Sequence, residues 1–134
     1  MRAAMDVASL AARSCKGLCG KDTPRVAMDK AEEMLRGLSG WKMAAGGTAI
    51  SRAFVARNFV AAMAFFQGVA KVAEEEGHHP DLHLTGYRNV KVELSTHSIG
   101  GLSEADFIMA AKIDQVPVDY SPKWLENHAQ QVPK

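Results

Sequence analysis

Four of the five histidines fall between positions 78 and 97 of the 134-residue chain. His78 and His79 lie within Glu74-Glu75-Glu76-Gly77-His78-His79-Pro80-Asp81, and His97 closes Ser95-Thr96-His97. Histidine gives and takes protons near neutrality, with an ordinary pKa of about 6.5. Such a group can carry out acid–base work, bind metal, or cap a helix end. Spacing disfavours the metal reading. His79 and His83 are four apart, which pairs two ligands only on a helix, and Pro80 forbids one there. No cysteine joins them and no His-Glu-x-x-His pattern is present. The capping reading stays open, since a cation at a helix C-terminus is favoured by the dipole. The acid–base reading has its own logic. His78 and His79 are held between a helix end and a proline, and His97 can approach from a later strand. Ser95 and Thr96 directly precede His97, but strand neighbours point to opposite faces, which argues against an adjacent Ser–His nucleophile pair. Three further side chains carry two readings each. Asp106 is either the fourth residue of an S-x-x-D cap or a site carboxylate, and Glu74 a solvated helix charge or a site residue. Trp41 is either a core or interface aromatic or a ligand platform.

The elements that must position these residues follow from period and punctuation. Asp29 with Glu32 is a capping-box spacing, and Ala31, Met34, Leu35 and Leu38 recur at helical intervals, predicting a helix over 28–38. Gly37 and Gly40 offer it a left-handed stop. Residues 41–45 and 48–55 read as strands joined by Gly46-Gly47. Asn58 caps a long helix whose predicted apolar face is Phe59, Ala62, Met63, Phe66, Val69, Ala70 and Ala73, with Gly77 just past its end. Residues 82–87 and 90–97 are strands; in the second, Lys91, Glu93, Ser95 and His97 share a polar face. Gly100-Gly101 turns the chain, and Ser103 caps a third helix burying Phe107, Ile108, Ala111 and Ile113. Beyond Asp114 no period persists, although Tyr120 and Trp124 can dock on the body. The predicted fold is α+β, in the order α-β-β-α-β-β-α, with a four-stranded antiparallel sheet and helices packed on one face. Residues 1–25 read as a flexible tail, 26–115 as the domain and 116–134 as a C-terminal extension. The uncovered sheet face or edge then calls for self-association.

Composition narrows the classes. A net charge of +1 gives no electrostatic footprint for direct nucleic-acid or membrane binding, and no apolar run approaches the roughly 20 residues of a membrane span. Cys15 and Cys19 read as reduced thiols in the tail. Residues 1–14 are Ala-rich with Arg2 and Arg13, so the expected location is the cytoplasm, or a mitochondrion or plastid if that tail is a transit remnant.

An ordered set of residues resembles one known family. Leu35-x-x-Leu38-x-Gly40-Trp41, Glu74-x-x-x-His78-His79-Pro80, Tyr87, Leu94-Ser95-Thr96-His97 and Gly101-Leu102-Ser103-x-x-Asp106 together are similar to the pterin-4a-carbinolamine dehydratases, also known as dimerisation cofactors of a homeodomain transcription factor. The wording His78-His79-Pro80-Asp81-Leu82-His83-Leu84 and Gly100-Gly101-Leu102 is closest to the plant and algal branch. The resemblance implies a cofactor-free, metal-free dehydratase that expels water from a 4a-hydroxytetrahydropterin to give the quinonoid dihydropterin, in tetrahydrobiopterin recycling. It also implies His78, His79 and His97 as the acid–base set, Asp106 orienting a histidine, and Glu74, Pro80, Ser95, Thr96 and Trp41 at the pterin substrate. The expected assembly is a homodimer or homotetramer, and the resemblance also allows a non-enzymatic partner role, since some family members serve as transcriptional coactivators or enzyme-assembly factors. Two departures stand out: one extra residue between His79 and His97, at Gly86, and the C-terminal extension.

Overall fold

The computed structural model describes residues 7–15 and 23–133. Four strands, β1 (Trp41–Met43), β2 (Ile50–Val55), β3 (Asp81–Thr85) and β4 (Asn89–Leu94), form one antiparallel sheet in the order β1-β2-β4-β3. Alternation sorts its faces. Ile50, Phe54, Val90, Val92 and Leu94 are buried on one side, while Lys91 and Ala53 stand exposed on the other. The buried side is covered by α2 (Met28–Arg36), α3 (Phe59–Glu76) and α4 (Glu104–Ile113). Every residue from Ala105 to Ala111 is buried, because α4 packs against α3, β4 and the short N-terminal helix α1 (Val7–Ala11) at once. Full burial of a side chain such as Phe65 or Phe107 stabilises by about 1.5–3 kcal/mol. The α+β class and four-stranded antiparallel sheet are those expected from period alone.

Several local expectations fail for identifiable reasons. Asp29 and Glu32 form no cap; Ala27 precedes α2 without a side-chain hydrogen bond, and Gly37 ends it at φ −81° rather than in the left-handed region. On α3 the buried face is Ala62, Phe65, Val69 and Ala73, whereas Phe59 and Met63 are exposed. That helix carries two apolar stripes, and helical spacing cannot say which one meets the core. The final strand stops at Leu94, so His97 opens a short 3₁₀ turn (His97–Ile99) instead of closing a strand. Its exposure nonetheless follows the predicted polar parity. Residues 7–15, expected to belong to a flexible tail, place Leu10 and Cys15 wholly within the core. Glu76 accepts the Cys15 amide at 2.8 Å, fastening this segment to the end of α3. Cys19 lies outside the described residues.

The C-terminal segment is more ordered than its lack of period predicts. Because β1 is only three residues long, the end of β2 lacks a partner on that side. Residues 119–121 fill the gap: Arg57 N–H bonds Asp119 O, Ser121 N–H bonds Val55 O, and Ala56 bridges Tyr120 antiparallel. Helix α5 (Pro122–His128) follows, with Ser121 capping it and Pro122 in its first turn. That Ser-Pro pair is a start signal the periodicity reading passed over. Beneath it, buried Arg52 reaches Asp114 Oδ1 at 3.2 Å and the Tyr120 hydroxyl at 2.5 Å, while the Trp41 indole N–H donates to Asp114 at 2.9 Å. Burial pushes the Asp114 carboxyl above its ordinary range, opposed by Arg52 and by the Trp41 bond.

Candidate active site

The histidine stretch begins where α3 is made to stop. Asn58 accepts the Ala61 amide at 2.9 Å at the helix start, and past the eighteen-residue helix Gly77 adopts φ 66°, its N–H returning to Ala73 O. This turn sends His78 inward and leaves His79 outside. Pro80 then delivers the chain into edge strand β3.

His78, 6% exposed, places Nε2 2.7 Å from Oδ1 of Asp106, which is fully buried at the first turn of α4. The other carboxylate oxygen of Asp106 accepts from the Thr96 hydroxyl at 2.8 Å and from the Ser103 amide at 2.9 Å. Ser103 and Asp106 thus close the capping box that opens α4, and the helix start and the His78 partner are one residue. With the Thr96 proton committed to Asp106, the Ser103 hydroxyl is the donor across the 2.7 Å contact to Thr96. An acceptor on Nε2 fixes the tautomer in which Nε2 carries the proton, so Nδ1 is the nitrogen left for other work. The cap and site readings of Asp106 are not alternatives: it does both.

His79 forms a second pair of opposite character. Its Nε2 meets Glu74 Oε2 at 2.5 Å, one helical turn back, with 60% and 77% of the side chains exposed. The structure therefore gathers His78, Thr96, Ser103 and Asp106 into one buried network and sets His79 with Glu74 beside it. Ser95 and His97 flank Thr96, on the opposite parity and more exposed. Pro80 is half-buried at the start of β3. Trp41 is not brought to this group. It is 4% exposed on the far edge strand, and its partner Asp114 lies eight residues, about 12 Å, along α4 from Asp106. Ser103 was legible only as a cap; the signal for its second role is that Thr96 shares the buried parity of Val92 and Leu94. Among the described residues no group of three or more His, Cys, Asp or Glu side chains is arranged to hold a metal ion.

Residues 24–116 match the family model "Pterin 4 alpha carbinolamine dehydratase". The Arabidopsis thaliana protein named pterin-4-alpha-carbinolamine dehydratase 2, mitochondrial, is 42% identical over 115 residues, which is 84% of this chain and 62% of that protein. The chain thus spans less than two-thirds of that relative's length. A Nitrosomonas eutropha relative is 44% identical over 112 residues, 83% of this chain and 96% of its own length. Among solved structures, the "transcriptional coactivator/pterin dehydratase" of Brucella melitensis superposes with a TM-score of 0.65 at 36% identity, over 69% of this chain and 98% of that one. With a matching domain model, relatives above 40% identity and the same fold in a solved relative, the chain belongs to the pterin 4 alpha carbinolamine dehydratase family.

Proposed function

We propose that the chain dehydrates a 4a-hydroxytetrahydropterin, in tetrahydrobiopterin recycling, with His78, His79 and His97 as its proton-transfer groups. The observation that carries this reading is the buried His78–Asp106 pair, supported through Thr96 and Ser103, in a chain of this family. The reaction breaks the C4a–O bond. An acid protonates the departing hydroxyl, which leaves as water, and a base takes a ring N–H proton while its electron pair forms the new C=N bond. His78, held with its proton on Nε2 against Asp106, offers the Nδ1 lone pair and is the base in this scheme. His79, open to solvent and paired with Glu74, exchanges its proton readily with water and suits the acid. His97 lies beside Thr96 where it can steer the leaving water, and Pro80 and Ser95 are the substrate contacts. Trp41 acts from the core, as support for the sheet rather than as a wall of the pterin pocket.

The second reading is a partner role. The Brucella melitensis relative is called both a transcriptional coactivator and a pterin dehydratase, so the two roles are paired in its name. The partner role is favoured here by the outer stripe of α3, where Phe59, Val60 and Met63 are 51%, 75% and 40% exposed. We take this stripe as a self-association face, giving a homodimer or homotetramer. The test is the dehydration of synthetic 4a-hydroxytetrahydropterin, alongside light scattering for mass. A rate above buffer that falls in His78→Ala, His79→Ala and His97→Ala is expected. Wild type no faster than buffer would sink the enzymatic reading and leave the partner role.

A further inference from the structure

We infer that residues 11–15 form a clasp that sets the separation of His78 and Asp106, with Glu76 as the positioning residue through which it acts, an assignment that rests on the proposed dehydration. The two members of that pair come from different elements. His78 lies just past the end of α3, and Asp106 lies in the first turn of α4. Their 2.7 Å contact persists only while those two helix ends keep a fixed spacing. Gly77 alone stands between α3 and His78. Side-chain packing does not hold it: among the described residues, a Cβ placed there would meet nothing within 4 Å. Glu76, the last residue of α3, is the nearest point on that side from which the placement of His78 can be held.

The clasp grips both helix ends at once. Glu76 Oε1 accepts the Cys15 amide at 2.8 Å and the Ser14 hydroxyl at 3.2 Å. The thiol of the same Cys15, wholly buried, donates to the carbonyl of Ala105 at 3.5 Å. Through its amide and its thiol, Cys15 therefore joins a residue two positions before His78 to the residue directly before Asp106. Arg13 reinforces the α4 end by donating to Glu104 at 2.6 Å. Farther along α4, Lys112 Nζ donates to the Ala11 carbonyl at 2.8 Å and lies 3.7 Å from Glu76 Oε2. The segment is itself anchored, since α1 packs along α4 and Leu10 is wholly within the core. Burial sets Glu76 apart from its neighbour Glu74: their side chains are 14% and 77% exposed, so the bonds of Glu76 are the less screened by solvent. Supporting contacts of this kind hold a proton-transfer group within about 0.5 Å of its working position, and a misplacement of about 1 Å can cost about 100-fold in rate.

The test uses the full chain and reads the His78 ring directly. Histidine side-chain ¹H–¹⁵N spectra give the exchange rate of the Nε2 proton held by Asp106, with the buried Val69 amide in the middle of α3 as the reference in the same sample. A loss of stability alone quickens both protons alike, whereas a loss of position quickens the ring proton selectively. In Glu76→Ala the ratio of ring to reference rate should rise at least about fivefold. The dehydration kcat should fall about tenfold with KM within about twofold of wild type. Glu76→Gln, whose amide oxygen still accepts from Cys15, should restore both, and Glu75→Ala, exposed on the same turn, should match wild type. Cys15→Ala removes the tie to Ala105 and should raise the same ratio, which keeps the test in force if Glu76→Ala does not fold. The clasp is overturned if the ratio keeps its wild-type value in Glu76→Ala, or in Cys15→Ala where the first variant does not fold. A Glu76→Gln variant as impaired as Glu76→Ala would overturn it too, as would a wild-type ring proton that exchanges freely. Wild type that leaves the hydroxypterin unchanged would overturn the dehydratase reading instead, and the ring-to-reference ratio would still decide the clasp.

Discussion

His78 and His79 are neighbours in the chain, and each bonds a carboxylate through Nε2, yet the two pairs obey different physics. His78–Asp106 is excluded from solvent and closed on its other side by Thr96 and the Ser103 amide. His79–Glu74 lies in water on the last turn of α3. Buried, a pair is geometrically fixed and expensive to leave half-made. Exposed, it is screened, mobile and worth at most about 1 kcal/mol. One left-handed residue, Gly77, separates the two outcomes by turning the chain so that consecutive histidines face opposite environments. The proposed dehydration would use this division, with His78 as an ordered proton acceptor beside His79 as an exchanging donor.

The most forceful way to break this contrast is on the carboxylates. Asp106→Ala removes a helix cap and leaves the His78 ring and the Thr96 hydroxyl without their buried acceptor. A loss of about 3 kcal/mol is expected by urea unfolding. Glu74→Ala should change stability by less than about 0.5 kcal/mol. Comparable losses in both would show that burial does not distinguish the pairs. Kinetics sharpens the same contrast. His78→Ala should lower kcat/KM for dehydration by about 10²–10⁴, the usual worth of a general base, and His79→Ala by a smaller factor, because water can replace an exposed acid. A larger loss at His79 would reverse the assigned roles. Thr96→Val keeps the shape and deletes the bond to Asp106 together with the acceptor of the Ser103 hydroxyl, with an expected cost of about 1–2 kcal/mol and a smaller loss of activity than His78→Ala. The smallest effect belongs to an ion pair at the periphery. Lys30 first, then Arg13, hold the Glu104 carboxyl below its ordinary range. Its contribution is present above the usual glutamate value near 4.5 and disappears as pH falls through the depressed folded value. Glu104→Gln should therefore cost about 0.5 kcal/mol at pH 7 and nothing once the carboxyl is protonated in both states, as thermal melts at the two pH values would show.

Much of this contrast was legible in the sequence. Asn58, Gly77 and Pro80 are punctuation, and punctuation acts locally, so the span of α3 and the exit of the histidines from it could be read directly. The inward parity of Thr96 and the outward parity of His97 follow from the alternation along β4. What could not be read is which of two apolar stripes on α3 meets the core, because that depends on where the sheet lies. That Asp106 meets a histidine came only from resemblance, which did not say which one. His78 and Asp106 are twenty-eight residues apart, and nothing local says that the first turn of α4 abuts the last turn of α3. Arg52 was a missed clue. Set between Ile50 and Phe54 on a buried parity, a cation demands a buried partner, and that partner is the Asp114–Tyr120 pair. Trp41 was drawn toward the site by resemblance, whereas its indole N–H answers the same demand at Asp114.

The contact of residues 119–121 with the end of β2 has a consequence for how this protein stays out of trouble. A strand whose neighbour ends early presents bare amides and carbonyls to any other extended chain, and such edges recruit copies into aggregates. Here Asp119 and Ser121 occupy the hydrogen-bonding positions at Arg57 and Val55, and Pro122, which has no N–H to offer, ends the run at once. The C-terminal segment is thus a stopper for an unfinished sheet. Its removal would turn the interior end of β2 into an adhesive edge, and solubility, before activity, would register the loss.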